Sequence, residues 1–243
     1  MSKNQEENFI GTVPSDWKLI MTADEIKVVV RSLAQKISDD YRGKDLVLVA
    51  ILAGAAYFMV DLSRRLTIPH SVHFIHASSY HDSQTQAEKV RIGADGLSPK
   101  KYKNKQVLLV DELYDNGKTM HAVRQTLLSE QSLGLSEDSV KSCVCFRKEK
   151  ENPLFPPPDY TGISGLPDLW FVGYGLDDAG DKRGLMSLWA MPKVPGVPQT
   201  SSDRIFTDIG GTLLSTMRQS IIRFIDKTRC RHIQQQNQIQ SRL

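Results

Sequence analysis

The sequence predicts an α/β fold in which a central parallel sheet is flanked by helices. Three observations predict it. Apolar runs at residues 46–52 and 107–110 and a strand-like run at 140–146 have the length and β-branched content of strands, and 107–110 reads as a strand covered on both faces. Helical stretches separate these runs, so strand, helix and strand alternate along the chain. Carboxylates crowd the C-terminal end of the run at 107–110, the end of a strand where open α/β sheets bind ligands.

Taken in order, Thr22 and Glu25 form a capping box that opens a helix, and Ile26, Val29, Val30, Leu33 and Ile37 are spaced to bury one face of it. The strand at 46–52 runs into Ala53-Gly54-Ala55-Ala56, small residues that let backbone approach a ligand, and then into a helical stretch through Leu66. Residues 72–76 form the next strand. The segment 81–104 is polar, with Gly93, Gly96 and Pro99, and reads either as a disordered segment or as a functional lid. After the strand at 107–110 come a helix from near Asn116 to about Glu130, the strand at 140–146, a Pro-rich connection at 153–158 and a strand at 169–174. The expected organisation is a domain over 20–193, a linker over 194–211 rich in Pro, Ser, Thr and Gly, and a C-terminal amphipathic helix and tail over 212–243. In that last segment Leu213, Leu214, Met217, Ile221, Phe224 and Ile225 share a face suited to docking on the domain or on a second subunit; a membrane-surface use is the alternative.

The formal charge of +3 is uneven: residues 212–243 carry +5, which leaves −2 on the body. The body therefore has no nucleic-acid footprint, and an anionic ligand must be met by local basic groups. Cys143, Cys145 and Cys230 give an odd count with no CxxC pair and read as reduced thiols. His70, His73 and His76 are spaced to fall on both faces of a strand, which is no zinc pattern. No apolar run approaches a membrane span. Ser241-Arg242-Leu243 is a conservative variant of the Ser-Lys-Leu peroxisomal address, so an import receptor is an expected partner and a peroxisome-like organelle the expected compartment, with cytoplasm as the alternative.

The chemistry lies in VLLVDELYDNGKTM, residues 107–120. Asp111, Glu112 and Asp115 place three carboxylates within five residues, directly before Asn116-Gly117-Lys118-Thr119. The last three letters imitate a Walker loop, but the residue five before Gly117 is Glu112 where that loop needs glycine, so no wrap for a polyphosphate exists. A single turn opening a helix suits a terminal monophosphate held by backbone N–H groups. Asp111 and Glu112 then suit vicinal ribose hydroxyls and a hydrated Mg²⁺. Sugar phosphate, diol and metal together describe phosphoribosyl pyrophosphate (PRPP). As a plain structural alternative, Asp115 could be only the cap of the following helix.

This stretch resembles the PRPP signature of type I phosphoribosyltransferases, and residues 20–193 most resemble the hypoxanthine-guanine (6-oxopurine) members, including the glycosomal enzymes of kinetoplastids. The resemblance implies the type I phosphoribosyltransferase fold with a small hood subdomain, a homodimer or homotetramer, Mg²⁺, and transfer of ribose 5-phosphate from PRPP to hypoxanthine or guanine, with xanthine a further candidate. It implies Asp115 as the catalytic acid/base. It implies a PRPP site of Asp111, Glu112, Asp115, Asn116, Gly117, Lys118 and Thr119, with Ala53 and Gly54 as the pyrophosphate loop, Ser79-Tyr80 on the closing loop and Arg183 on pyrophosphate. The family often has lysine where Ala53 stands, so only backbone contacts carry over there. The purine site implied is Arg147 at a family lysine that donates to the 6-oxo group, with Lys148 and Lys150 beside it, Trp170 stacking on the base, the Phe171 backbone reading its edge, and Asp177. Asp177, Glu112 and Asp111 are the implied metal residues. The rivals are a xanthine-preferring sibling and a non-catalytic PRPP-binding regulator.

Overall fold

The computed structural model describes residues 13–81, 88–92, 98–150 and 154–191 with positions 219, 222 and 223, and for 78–81 and 88–92 the backbone alone. The expected linker, nearly all of the expected C-terminal helix, Cys230 and the Ser241-Arg242-Leu243 tail lie outside these residues.

A short strand β1 (Lys18–Met21) leads into helix α1 (Ala23–Asp40). The expected capping box is present: the Thr22 side chain accepts from the Glu25 N–H at 3.3 Å and the Glu25 carboxylate accepts from the Thr22 N–H at 2.8 Å. Ile26, Val29, Val30, Leu33 and Ile37 are all buried, as their spacing requires. The next run is β2 (Leu46–Leu52), followed by α2 (Ala56–Ser63), which ends short of the expected Leu66.

The pleat of β2 divides it between two cores. Leu46, Leu48 and Ala50 pack with α1 and α2, while Val47, Val49 and Ile51 pack on the other side. Burial on both faces is what a continuous apolar strand needs. β3 (His70–His81) extends well past the expected 72–76 and turns back as antiparallel β4 (Glu88–Ile92), with Ser79 paired to Val90 and Tyr80 to Lys89. Within the segment 81–104 the described residues hold β4 and a helical turn α3 (Pro99–Tyr102), whose Tyr102 is fully buried in the second core. Alternation in Glu88–Ile92 is strand-like, and overall polarity masked it.

β5 (Gln106–Tyr114) continues through the carboxylates and is followed by α4 (Lys118–Ser129), β6 (Val140–Lys148) and β7 (Tyr160–Leu166). The main sheet has the order β4-β3-β2-β5-β6-β7, parallel from β3 to β7. A second sheet is antiparallel: β8 (Trp170–Val172) and β9 (Leu188–Met191) join the N-terminal strand in the order β1-β9-β8. Its small core contains Val13, Trp17, Val172, Leu185, Trp189 and Met191. Among the described residues no helix is long and apolar enough to cross a membrane.

Candidate active site

Three loops and one strand end meet at the C-terminal edge of the main sheet. After β2 the chain turns through a cis peptide between Leu52 and Ala53, leaving Ala53 exposed and Gly54 buried. A Cβ on Gly54 would lie 1.8 Å from Glu112 Oε1, so glycine lets the Glu112 carboxylate rest directly against the loop after β2. Gly175 closes on the same loop, since its Cβ would lie 2.1 Å from the Gly54 carbonyl oxygen. Ala53, Gly54, Glu112 and the turn containing Asp177 thus lie together.

The paired acids are electrostatically costly. Burial, and after it the charge of Glu112, hold the Asp111 carboxyl well above the usual carboxylate range, although Asp111 Oδ1 accepts from the Glu112 N–H at 3.1 Å. Glu112 Oε2 is buried and accepts no hydrogen bond. A buried carboxylate oxygen without a donor is an acceptor held for something else. It suits sugar hydroxyls, and it suits a hydrated cation. Among the described residues no three His, Cys, Asp or Glu side chains cluster as a metal cage. Asp111 and Glu112 are two carboxylates of the kind through which a hydrated Mg²⁺ is held together with substrate phosphates.

Beyond the acids, Gly117 adopts φ 78° and caps α4, the place the alternative reading gave to Asp115. The Asn116 carboxamide accepts from the Lys118 N–H at 3.0 Å and shapes the turn. The first intrahelical bond runs from His121 N–H to Gly117 O, so the amides of Thr119 and Met120 precede the ladder at the helix's positive end. Asn116, Lys118 and Thr119 are exposed, as groups that meet an anion must be.

Asp115 opposes a pair of lysines. Lys150 Nζ lies 2.9 Å and Lys148 Nζ 3.5 Å from Asp115 Oδ1, an oxygen buried from solvent with no donor aligned to it. Asp168 completes the group, 3.0 Å from Lys148 and 2.9 Å from Lys150. Burial works to raise the Asp168 carboxyl, but the two ammoniums outweigh it and hold it below its usual range. Lys148 is 8% exposed and lies 5.9 Å from the Phe171 ring centroid.

Here the structure departs from the expectation for Arg147. In the β5–β6 register Arg147 pairs with Tyr114, and its charge acts on the Tyr114 hydroxyl, on the face away from Phe171. Alternation carries Phe146 and Lys148 to the Asp115 side and Arg147 to the other. Lys148 and Lys150, which the sequence sets beside Arg147, are the basic residues that gather with Asp115, and Asp168 is the residue that sequence reasoning left out of the site. The alternation from Phe146 could have indicated Lys148.

On the remaining side, Trp170 is 43% exposed at the edge of β8, a flat face open to a ligand, while Phe171 is buried. Arg183 donates to the Gly175 carbonyl at 2.7 Å and pairs with Asp177 at 2.7 Å. The Gly180 N–H also donates to Asp177, at 2.7 Å. Asp177 and Arg183 thus hold each other beside the loop after β2. The side chains of Ser79 and Tyr80 lie outside the described atoms.

The sequence matches a family model described as a phosphoribosyl transferase domain over residues 16–179. It is 35% identical over 158 residues to a hypoxanthine phosphoribosyltransferase of Salmonella typhimurium, spanning 64% of this chain and 84% of that protein. A hypoxanthine-guanine phosphoribosyltransferase of Staphylococcus aureus is 31% identical over 160 residues, 66% of this chain and 85% of that one. Among solved structures, a Trypanosoma cruzi hypoxanthine phosphoribosyltransferase variant with its substrates superposes with a TM-score of 0.63 at 27% identity, covering 72% of this chain and 94% of the other.

Proposed function

Because the chain belongs to the phosphoribosyltransferase family, we propose that it is the purine-salvage enzyme that transfers the 5-phosphoribosyl group from PRPP to hypoxanthine or guanine, forming the nucleotide and pyrophosphate. The observation that carries this reading is the convergence of the Gly54 loop, the Asp111-Glu112 pair and the Gly117 turn on one site. One loop suits pyrophosphate, the acids suit the ribose diol, and the turn suits the 5′-phosphate.

In the reaction the bond from the anomeric carbon to pyrophosphate breaks, and a bond to a ring nitrogen of the base forms. The sugar gains oxocarbenium-like charge between these events, and the carboxyl groups of Asp111 and Glu112 would stand beside it to stabilise that charge. Asp115 is the carboxylate placed to exchange the proton of the base's five-membered ring. Asp111 and Glu112 would hold Mg²⁺, with Asp177 near the pyrophosphate. When bound, the ion neutralises phosphate charge. Arg183 is a bidentate donor for the departing pyrophosphate once it exchanges its bond to Asp177.

Lys148 decides the class of base. A buried ammonium has donors only, so it satisfies a 6-oxo group and opposes a 6-amino group. Trp170 supplies the stacking face. The test is nucleotide formation with PRPP, Mg²⁺ and hypoxanthine, guanine, xanthine or adenine in turn, followed spectrophotometrically. Turnover of hypoxanthine and guanine but not adenine is expected; preference for adenine contradicts the assignment.

A further inference from the structure

Tyr114 is the last residue of β5 and is 5% exposed, yet it is neither an acid of the site nor part of the phosphate turn. Its hydroxyl donates one proton shared between two acceptors, the carbonyls of Phe155 at 2.8 Å and Pro156 at 3.0 Å. Those carbonyls belong to the Pro-rich connection between β6 and β7. Prolines 156, 157 and 158 have no N–H, so this connection cannot satisfy its own carbonyls through a local ladder and depends on donors from elsewhere.

The same phenol supports the phosphate turn. A Cβ on Gly117 would lie 2.3 Å from the Tyr114 hydroxyl oxygen and 2.5 Å from Cζ, so the turn rests directly on the ring. One turn further along α4, His121 stacks on Phe155 with ring centroids 4.4 Å apart and interplanar angle 25°. The connection is thus fastened once to the end of β5, through Tyr114, and once to the phosphate-turn helix, through His121. A cavity of about 280 Å³ lies beside this contact, bordered by Tyr114, Gly117, His121 and Phe155, and gives the phenol room to move if it is released. Burial holds the hydroxyl above its ordinary range, against the opposing pull of Arg147, so it stays a protonated donor.

We propose that Tyr114 is a positioning residue for PRPP: the bond from its hydroxyl to the Phe155 and Pro156 carbonyls fixes the height of the Gly117 turn at which the 5′-phosphate docks. The inference rests on the phosphoribosyltransferase reading. The purine site, on the far side of β5 and β6 around Lys148 and Trp170, does not lean on this bond.

Tyr114→Phe keeps the ring and removes the donor. Titration calorimetry with Mg²⁺ and PRPP is expected to show binding weakened about two- to twelvefold, the equivalent of one net hydrogen bond of about 0.5–1.5 kcal/mol. The KM for hypoxanthine and the kcat should stay at wild-type values. His121→Ala leaves β5 intact, loosens the same connection and should weaken PRPP binding in the same direction. A purely structural tyrosine would lower the melting temperature without splitting the two substrates. Unchanged PRPP affinity in folded Tyr114→Phe, or in folded His121→Ala should the first variant not fold, overturns the proposal, as does an equal loss for both substrates. If the wild type binds PRPP but converts no purine, the enzymatic reading fails while the binding comparison still decides the role of Tyr114.

Discussion

Lys148 and Arg147 are neighbours in sequence with opposite surroundings. Lys148 is buried between Asp115 and Asp168, and Arg147 stands beside Tyr114 on the other face of β6. In the string FRKEK the basic side chains at the strand end read alike until Phe146 is assigned to the core, after which alternation puts Lys148 on the same face. The face is decided by the packing of Phe146 in the first core. The geometry therefore predicts that Lys148→Ala raises the purine KM about 10- to 100-fold, the usual loss for a charged donor worth about 1.5–3 kcal/mol. Arg147→Ala should leave it unchanged. Steady-state kinetics with hypoxanthine varied at saturating PRPP checks this, and the reverse order would restore Arg147 to the site.

Among the elements, β5 shows how a stable strand bears an unstable end. Val107, Leu108, Leu109 and Val110 are fully buried, and the strand then delivers two adjacent acids to a desolvated edge. With its carboxyl held above the usual range, Asp111 keeps its proton to higher pH in the folded protein than in the unfolded chain. That contribution is full below the ordinary value of about 3.9 and is lost as pH rises through the folded value. Asp111→Asn should therefore melt higher than the wild type at neutral pH, by about 2–4 °C for each kcal/mol relieved. The gap should close as pH falls into the ordinary carboxylate range, and PRPP binding should weaken. Melting curves across pH, with and without PRPP, measure both; a lower melting point at neutral pH would show that the acid stabilises the free protein. The strand itself was legible because a doubly covered run is continuous in sequence. β1 and β9 were not, since four residues are too few to show a period and their partners are remote. β7 was hidden by Gly162 and Gly165, the former closely packed against α1, where its Cβ would lie 2.6 Å from Val29 Cγ1.

For the whole molecule, the site is a seam. The main sheet supplies the loops after β2 and β5 and the end of β6, and the chain between β8 and β9 supplies Asp177 and Arg183 against them. The phosphate turn could be read from one stretch of sequence because its residues are contiguous. The Lys148, Lys150, Asp115 and Asp168 group could not, because it forms only when the ends of β5 and β6 and the turn that precedes β8 come together. The same architecture explains how a body of charge −2 can receive a highly anionic substrate: Lys118, Arg183 and the start of α4 are local exceptions to the general field. The central claim is that this seam performs phosphoribosyl transfer with Asp115 as its acid/base. The most direct measurement is the turnover of hypoxanthine with PRPP and Mg²⁺ by the wild type and by Asp115→Asn. Nucleotide formation by the wild type, with kcat lowered roughly 10²- to 10⁴-fold in the folded variant, is the predicted result; equal kcat in the two proteins, or no nucleotide from the wild type, contradicts it.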